Sequence, residues 1–208
     1  VYREWVNPKN RGAVGNPIVY LSEEKGMAHI TGAEQAKNWE KVDGDVYVAR
    51  FPNKFFGDYN PFTTLVSGDW YIATIIAHTG DVFLNGKSMY EVTSLDEVKN
   101  PVVNKSSWDP DFTVYTWYTE QDEKSDETVI YANFQGRNPN EEDVEISVRR
   151  HCFYPEAEGI SYITLSGFTV SKAATQWAPP TAYQEGMIGP HWSKGWVIEH
   201  CEVFESKC

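Results

Sequence analysis

Aromatic side chains are the groups of this sequence best suited to binding a ligand, and the chain carries 8 Trp, 12 Tyr and 10 Phe. Aromatic rings bury large apolar areas in a core, and their faces also stack on the C–H faces of sugar rings. The number of rings does not decide between these uses. Their placement is more informative, because one segment, residues 173–194, combines them with prolines; it holds Trp177, Pro179, Pro180, Tyr183, His191 and Trp192.

This segment, the 173–194 loop, is a candidate wall of a binding site. Paired prolines stiffen a loop, and a stiff loop loses less entropy when it holds a ligand. We therefore take Trp177, Trp192 and His191 as candidate substrate-binding residues. The alternative is structural: the two indoles would cover the edge of a barrel, and a lone His would be a hydrogen-bonded framework residue.

Charge and composition restrict the class of partner. The net charge is −12, and phosphate binding requires clustered Lys and Arg, so we expect no nucleic acid partner. No apolar stretch approaches the length of a membrane span, so we expect no membrane partner. No phosphate loop, dinucleotide motif or His/Cys metal spacing is present, and we expect neither a cofactor nor a metal. A neutral sugar is compatible with this composition.

The three cysteines, Cys152, Cys201 and Cys208, follow neither a disulfide nor a zinc pattern. They predict reduced core thiols and a cytoplasmic location. The chain begins at Val1, without Met, inside a strand-like segment. We therefore expect a fragment of a longer protein.

A weak repeat organises the C-terminal part of the chain. Residues 162–170 align with residues 195–203 at an offset of 33, which places Leu165 on Ile198. Apolar and polar residues alternate on each side of a break at Gly167 or His200, as expected for two short strands joined by a bend. Repeats of this length, with equivalent residues stacked in files, predict a parallel β-helix.

A third copy of the repeat is expected near the N-terminus. Residues 28–34 resemble residues 163–169, with Ile30 on Leu165, at an offset of 135. About 100 residues then lie between two coils, and an insertion of that size predicts a folded domain. The predicted organisation is N-terminal β-helix coils over residues 1–36, an inserted antiparallel β-domain over 37–148, and further coils over 149–208.

The inserted segment contains short, closely spaced candidate strands joined by turns. Asn85-Gly86 lies between two of them and predicts a tight hairpin, because both positions tolerate positive φ. Only residues 94–99, with Ser94 as N-cap, are expected to be helical. Many short strands joined by hairpins favour an antiparallel sandwich or meander. The candidate strands cover residues 46–51, 70–76, 82–84, 88–92, 113–118, 128–134 and 144–148.

Several motifs carry a resemblance to a known family. These motifs are Ser67-Gly-Asp-Trp70, Gly80-Asp-Val-Phe-Leu-Asn-Gly86 and residues 55–61, 131–136, 148–155, 177–181 and 188–196. On them the chain resembles β-xylosidases of glycoside hydrolase family 120, over essentially its whole length. The resemblance implies an all-β fold in which right-handed parallel β-helix coils are interrupted by an inserted antiparallel β-sandwich.

The resemblance also implies an activity: a retaining hydrolase that releases xylose from the non-reducing end of xylo-oligosaccharides. Retention uses two carboxyl groups about 5–5.5 Å apart. By analogy these lie beyond Cys208, so the catalytic residues are unknown here. Asp58, Asp69 and Glu185 fall in family-like motifs, but such carboxylates commonly cap their own turns.

The resemblance further places the inserted domain over the sugar. It implies that Trp70 comes close to the bound xylose and that Asp69 accepts from a sugar hydroxyl; the alternative is that Trp70 packs inside the sandwich. An assembly of identical subunits is also suggested. Two other functions stay open, namely an inverting hydrolase or polysaccharide lyase of β-helix architecture, and a non-catalytic glycan-binding β-helix.

Overall fold

The computed structural model describes residues 1–68, 71 and 76–208, and these form 15 β-strands, one α-helix and two 3-10 helices. The strands are β1 (Ile18–Leu21), β2 (His29–Thr31), β3 (Ala33–Gln35), β4 (Glu40–Asp43), β5 (Val46–Pro52), β6 (Val82–Leu84), β7 (Lys87–Ser88), β8 (Tyr90–Glu91), β9 (Thr116–Asp122), β10 (Glu127–Asn133), β11 (Val144–Ser147), β12 (Ile163–Ser166), β13 (Thr169–Ser171), β14 (Val197–Glu199) and β15 (Glu202–Phe204). The helix α1 spans Leu95–Lys99, and the 3-10 helices span Asn53–Phe56 and Pro110–Val114.

The chain divides into two compact units. Unit 1 comprises Val1–Ala33, Ser67–Tyr71 and Val148–Cys208, and unit 2 comprises Glu34–Val66 and Ile72–Ser147. The division at residues 36 and 148 that the sequence indicates stays a prediction. One short segment, 67–71, groups with unit 1 although the sequence predicted it to be part of the inserted domain.

Unit 1 contains two sheets made only of parallel strands, in the orders β1-β12-β14 and β2-β13-β15. Leu165 in β12 faces Ile198 in β14, and Val170 in β13 faces Val203 in β15. Both pairs have the predicted offset of 33 residues, so the register of the two C-terminal copies is confirmed. Parallel strands require crossover connections, and here each crossover carries the chain through the other sheet.

The predicted register of the N-terminal copy was wrong. Ile30 faces Val170 rather than Leu165, and Tyr20 in β1 occupies the place opposite Leu165. The turn between β1 and β2 is longer than the bend at Gly167, which displaces the short Ile-Thr-Gly motif. Gly32 is consequently not the equivalent of Gly167, and it packs on the backbone of Ala173 instead.

Both C-terminal copies turn at the same three positions, where the backbone is left-handed. Gly167 has φ 81° and His200 has φ 54°, which confirms the predicted bend. A non-Gly residue in this conformation costs roughly 1–2 kcal/mol, so its recurrence reflects the geometry of the repeat rather than a local preference. The other two pairs at this spacing are Tyr162 with Gly195 and Lys172 with Glu205.

A third parallel alignment joins Val6, Phe153 and Ile188 through isolated bridges. The amide of Val6 donates to Cys152 O at 2.8 Å, and the amide of Phe153 donates to Met187 O at 3.0 Å. In each of the three segments an apolar residue is followed, two positions later, by proline. Proline has no N–H and ends the ladder there.

The side chains between these ladders form the core of unit 1. Ile163, Leu165 and Val170 are fully buried, and Phe153 packs edge-on against Tyr20 with ring centroids 4.9 Å apart. All three cysteines are free, but only Cys152 is a core residue; Cys201 is half-buried and Cys208 is exposed. Burial raises the pKa of the Cys152 thiol to about 12, which keeps it protonated and unreactive.

Unit 2 consists of a five-stranded sheet, β4-β5-β10-β9-β8, and a four-stranded sheet, β3-β11-β6-β7. The pairing is mostly antiparallel and compatible with the expected sandwich, although β8 and β9 are parallel. Asn85 and Gly86, with φ of 51° and 83°, make the predicted hairpin between β6 and β7. The candidate strands at 46–51, 82–84, 128–134 and 144–148 match β5, β6, β10 and β11 within one residue at either end.

Other local predictions in unit 2 have mixed outcomes. The helix at 94–99 is confirmed as α1, whose N-cap Ser94 accepts from the amide of Glu97. The strand at 113–118 was wrong in its first half, because Pro110 begins a 3-10 helix that runs to Val114. The strand at 88–92 is divided between β7 and β8. The strand predicted at 70–76 lies almost wholly outside the described residues.

Candidate functional site

The 173–194 loop and the segment just after β11 are held together in unit 1 by main-chain bonds. Ile188 forms an isolated parallel β-bridge with Phe153, and the amide of Gly189 donates to Phe153 O at 3.2 Å. The amide of Ala174 donates to Arg149 O at 2.8 Å, which fixes the start of the loop. These bonds place two sequence-distant stretches of aromatic side chains beside each other.

The aromatic side chains from these stretches form a continuous row. His151 stacks on Tyr154 with centroids 4.4 Å apart and planes at 13°. Tyr154 contacts His191 at 5.7 Å, and His191 contacts Tyr183 at 5.1 Å. Tyr183 stacks on Trp192 at 5.1 Å and 23°. The row thus runs from the buried His151 to Trp192, which is 67% exposed.

Hydroxyl hydrogen bonds fix the orientation of the row. The Tyr183 hydroxyl donates to Pro190 O at 3.0 Å and accepts from the Tyr154 hydroxyl. Burial raises the pKa of both tyrosines, so both hydroxyls stay protonated at neutral pH. The Tyr183 ring that supports Trp192 is therefore restrained at its hydroxyl as well as by its neighbours.

His191 is oriented by the backbone. Its Nδ1 lies 3.2 Å from Pro155 O and 3.0 Å from Glu156 O. Carbonyl oxygens only accept, so Nδ1 carries a proton. These contacts are those expected of the hydrogen-bonded framework residue.

The carboxylate of Glu185 belongs to an ion pair rather than to a catalytic pair. Its Oε2 lies 2.9 Å from Arg150 Nη2 and 3.7 Å from His151 Nε2. The pair ties the middle of the 173–194 loop to the segment after β11. Asp58 is exposed in the turn that follows the first 3-10 helix, as expected for a turn carboxylate.

The buried His151 predicts a pH dependence of stability. Burial lowers the pKa of His151 from 6.5, and Arg150 and His191 act in the same direction, while the bond to Gly186 O and the charge of Glu185 oppose it. The unfolded chain therefore binds a proton more readily than the folded chain. The contribution of the neutral imidazole is complete above pH 6.5 and is lost as the pH falls below it.

We expect the stability advantage of the wild-type protein over a His151→Asn variant to shrink between pH 7 and pH 5. Denaturant unfolding of both full-length proteins across that range measures the difference. Asn retains a donor for Gly186 O but does not titrate, which makes it the matched control. Parallel pH profiles for the two proteins would contradict the prediction.

A cleft of about 580 Å³ opens beside the aromatic row. Trp192, Tyr154 and Tyr183 are among the residues that line it. Polar groups at its edge come from Thr181, Gln184 and Ser193. Aromatic faces with hydroxyls and an amide around them are suited to a neutral, hydroxyl-bearing ligand.

Trp177 lies in a second aromatic contact of unit 1. Its ring packs against Tyr71 at 5.5 Å, and a Cβ on Gly68 would come within 3.0 Å of its Cε3. The Gln176 side-chain oxygen accepts from the amides of Ser67 and Trp177. Asp69 and Trp70, the other predicted binding residues, lie outside the described residues. Their described neighbours Gly68 and Tyr71 are the residues that contact Trp177.

The structure therefore brings together two of the predicted residues, His191 and Trp192, through Tyr183. It places Trp177 against Gly68 and Tyr71, which flank Asp69 and Trp70 in the sequence. Sequence reasoning missed Tyr154 and His151, which complete the aromatic row. The spacing of apolar-x-Pro in residues 153–155 and 188–190 could have identified this pairing, because it aligns the two stretches at an offset of 35.

Across residues 1–68, 71 and 76–208, no group of three or more His, Cys, Asp and Glu side chains could hold a metal ion. Within the same ranges no helix has the length and apolar character needed to cross a bilayer.

Comparison with known proteins identifies the family to which the chain belongs. A family model described as the glycoside hydrolase 120 insertion domain matches residues 36–146. A solved structure described as XylC with xylose is 46% identical, with a TM-score of 0.93, over 100% of this chain and 34% of that chain. A comparison with the curated proteins finds no match. This chain belongs to glycoside hydrolase family 120.

Proposed function

We propose that the protein containing this chain is a retaining, exo-acting glycoside hydrolase that releases xylose from xylo-oligosaccharides. The observation that carries the proposal is the 46% identity to XylC, a protein solved with xylose, along the whole of this chain. The chain spans 34% of the XylC chain. Its own contribution would be walls of the substrate pocket.

The proposal includes the architecture. We infer that the parallel ladders of unit 1 are coils of a right-handed parallel β-helix, and that residues 37–148 form a β-sandwich inserted between two of them. Three observations support it: parallel pairing in β1-β12-β14, parallel pairing in β2-β13-β15, and the bridges through Phe153. A helix of this kind presents its connecting loops on one face, where ligands commonly bind.

The proposed catalytic carboxylates lie beyond Cys208. A retaining mechanism requires a nucleophile and an acid/base about 5–5.5 Å apart, whereas Glu185 is engaged with Arg150 and Asp58 stands exposed in a turn. Further proposals follow from the sequence: a cytoplasmic protein, assembled from identical subunits, that acts on a small glycan without a cofactor.

Kinetics on the full-length protein test the proposal. It should hydrolyse an aryl β-D-xyloside and xylobiose, and proton NMR of early time points should show β-xylose as the first product. Changing an Asp and a Glu on neighbouring downstream coils to Asn and Gln should abolish turnover. An α-configured first product would indicate an inverting enzyme, an unsaturated product would indicate a lyase, and binding without turnover would indicate a glycan-binding protein.

Trp70→Ala tests the proposed role of the Gly-Asp-Trp motif. We expect kcat/KM on xylobiose to fall by roughly tenfold or more, since removing the indole would lose the roughly 1.5–3 kcal/mol that burying a large apolar side chain provides. The melting temperature should stay nearly unchanged. Trp108→Ala is the matched control, because Trp108 is 87% exposed and lies in unit 2. A large loss of stability with unchanged kinetics would favour the packing role instead.

A further inference from the structure

Trp192 combines three properties that stability does not explain. It is 67% exposed, it is the outermost ring of the aromatic row, and its backbone has φ 42°. A left-handed backbone favours Gly over a bulky residue. An exposed indole also contributes little of the stabilising free energy that it would provide if it were buried. Such a position is expected where the side chain serves a ligand.

The indole is also held in a fixed place. One of its faces rests on Tyr183, whose hydroxyl donates to Pro190 O. The preceding residues of the loop are tied by Glu185 to Arg150. A platform that is rigid before binding loses little entropy when a flat ligand stacks on its other face.

Polar groups around the platform suit a sugar. The side-chain nitrogen of Gln184 donates to the carbonyl oxygens of Ala178, Pro179 and Ala182, which leaves its Oε1 as an acceptor. Ser193 lines the cleft, and its buried hydroxyl has no hydrogen-bond partner among the described residues. The cleft presents hydrogen-bonding atoms and an apolar face, but its lining contains no charged side chain.

We propose that this cleft binds the leaving-group side of the substrate, the xylose units that remain after the terminal xylose is removed. This inference rests on the proposed function. An exo-acting enzyme must enclose the terminal sugar and leave the other side open, because the remaining chain varies in length. The cleft is bounded by exposed residues, Thr181, Gln184 and Trp192, and therefore fits the open side.

Two substrates that differ only in the leaving group test the subsite in the full-length enzyme. Xylobiose leaves a sugar that reaches the cleft, whereas β-D-xylopyranosyl fluoride leaves only fluoride. Trp192→Ala should lower kcat/KM for xylobiose roughly tenfold, the loss expected for one stacking face, and leave turnover of the fluoride unchanged. Trp192→Leu, which keeps apolar volume without a flat face, should behave in the same way, and Trp192→Phe should recover most of the loss.

Each outcome separates the subsite from the underlying function. If wild type cleaves the fluoride and neither variant shows a xylobiose-specific loss, the leaving-group subsite is wrong while the hydrolase stands. Equal losses on both substrates place Trp192 at the terminal sugar or in the framework, and also overturn the subsite. A wild-type enzyme that cleaves neither substrate overturns the proposed function and the subsite together.

Discussion

Gly32→Ala is expected to destabilise the full-length protein by at least about 3 kcal/mol, near the upper range for forced overpacking. A Cβ at this position would lie 2.7 Å from Ala173 Cα and 2.7 Å from Lys172 O. Both are main-chain atoms beside β13, so no side-chain rotation relieves the clash. The Gly32 amide also donates to Ser171 O, and its carbonyl accepts from the amides of Val148 and Arg149, so the backbone cannot withdraw without breaking three bonds.

The matched control is Gly15→Ala. Gly15 has φ 76° and nothing within 4 Å of its would-be Cβ, so it measures the cost of a left-handed Ala alone, about 1–2 kcal/mol. Gly32 lies outside the left-handed region, so any loss of stability in Gly32→Ala that exceeds the loss in Gly15→Ala comes from the steric clash. Denaturant unfolding, or soluble yield if Gly32→Ala fails to fold, compares the two. A smaller loss at Gly32 than at Gly15 would contradict the packing described for unit 1.

The repeat was predictable where the alternation of apolar and polar residues along the chain agrees with the way the strands pair. Residues 162–170 and 195–203 alternate in the same way and turn at equivalent positions, and the structure has Leu165 opposite Ile198. The N-terminal copy was misaligned because the motif around Ile30 resembles the first strand of the repeat while the chain uses it as the second. A three-residue likeness does not determine register when the preceding turn differs in length.

The candidate site was predictable in its residue types and not in its contacts. Aromatic density and prolines identified the loop that holds His191 and Trp192. They did not reveal Tyr154 or the bonds to Tyr183, because stacking between residues about 30 positions apart depends on which backbone segments bridge. In unit 2, the prediction of a strand from Thr113 onward was wrong because it did not take into account that Pro110 favours the start of a helical turn.

Two single variants, Leu165→Ala and Ile198→Ala, test by comparison whether further coils stack on β14. The two residues face each other in adjacent parallel strands, but Leu165 is fully buried and Ile198 is 42% exposed. Truncating Leu165 should cost about 2–5 kcal/mol, the range for a buried Leu. If another strand covers β14 in the full-length protein, Ile198→Ala should cost nearly as much, because its side chain then lies between layers as that of Leu165 does here.

An uncovered β14 predicts a different result. Ile198→Ala would then cost under about 1 kcal/mol, close to the effect of a surface substitution, and the β-helix proposal would fail at this edge. Val170→Ala and Val203→Ala repeat the comparison in the second sheet, where Val170 is fully buried and Val203 is 46% exposed. Val102→Ala, at a residue 82% exposed, provides the surface baseline. Because the two sheets are tested separately, large losses in both would indicate a complete additional coil, and a large loss in only one would indicate that only one ladder continues.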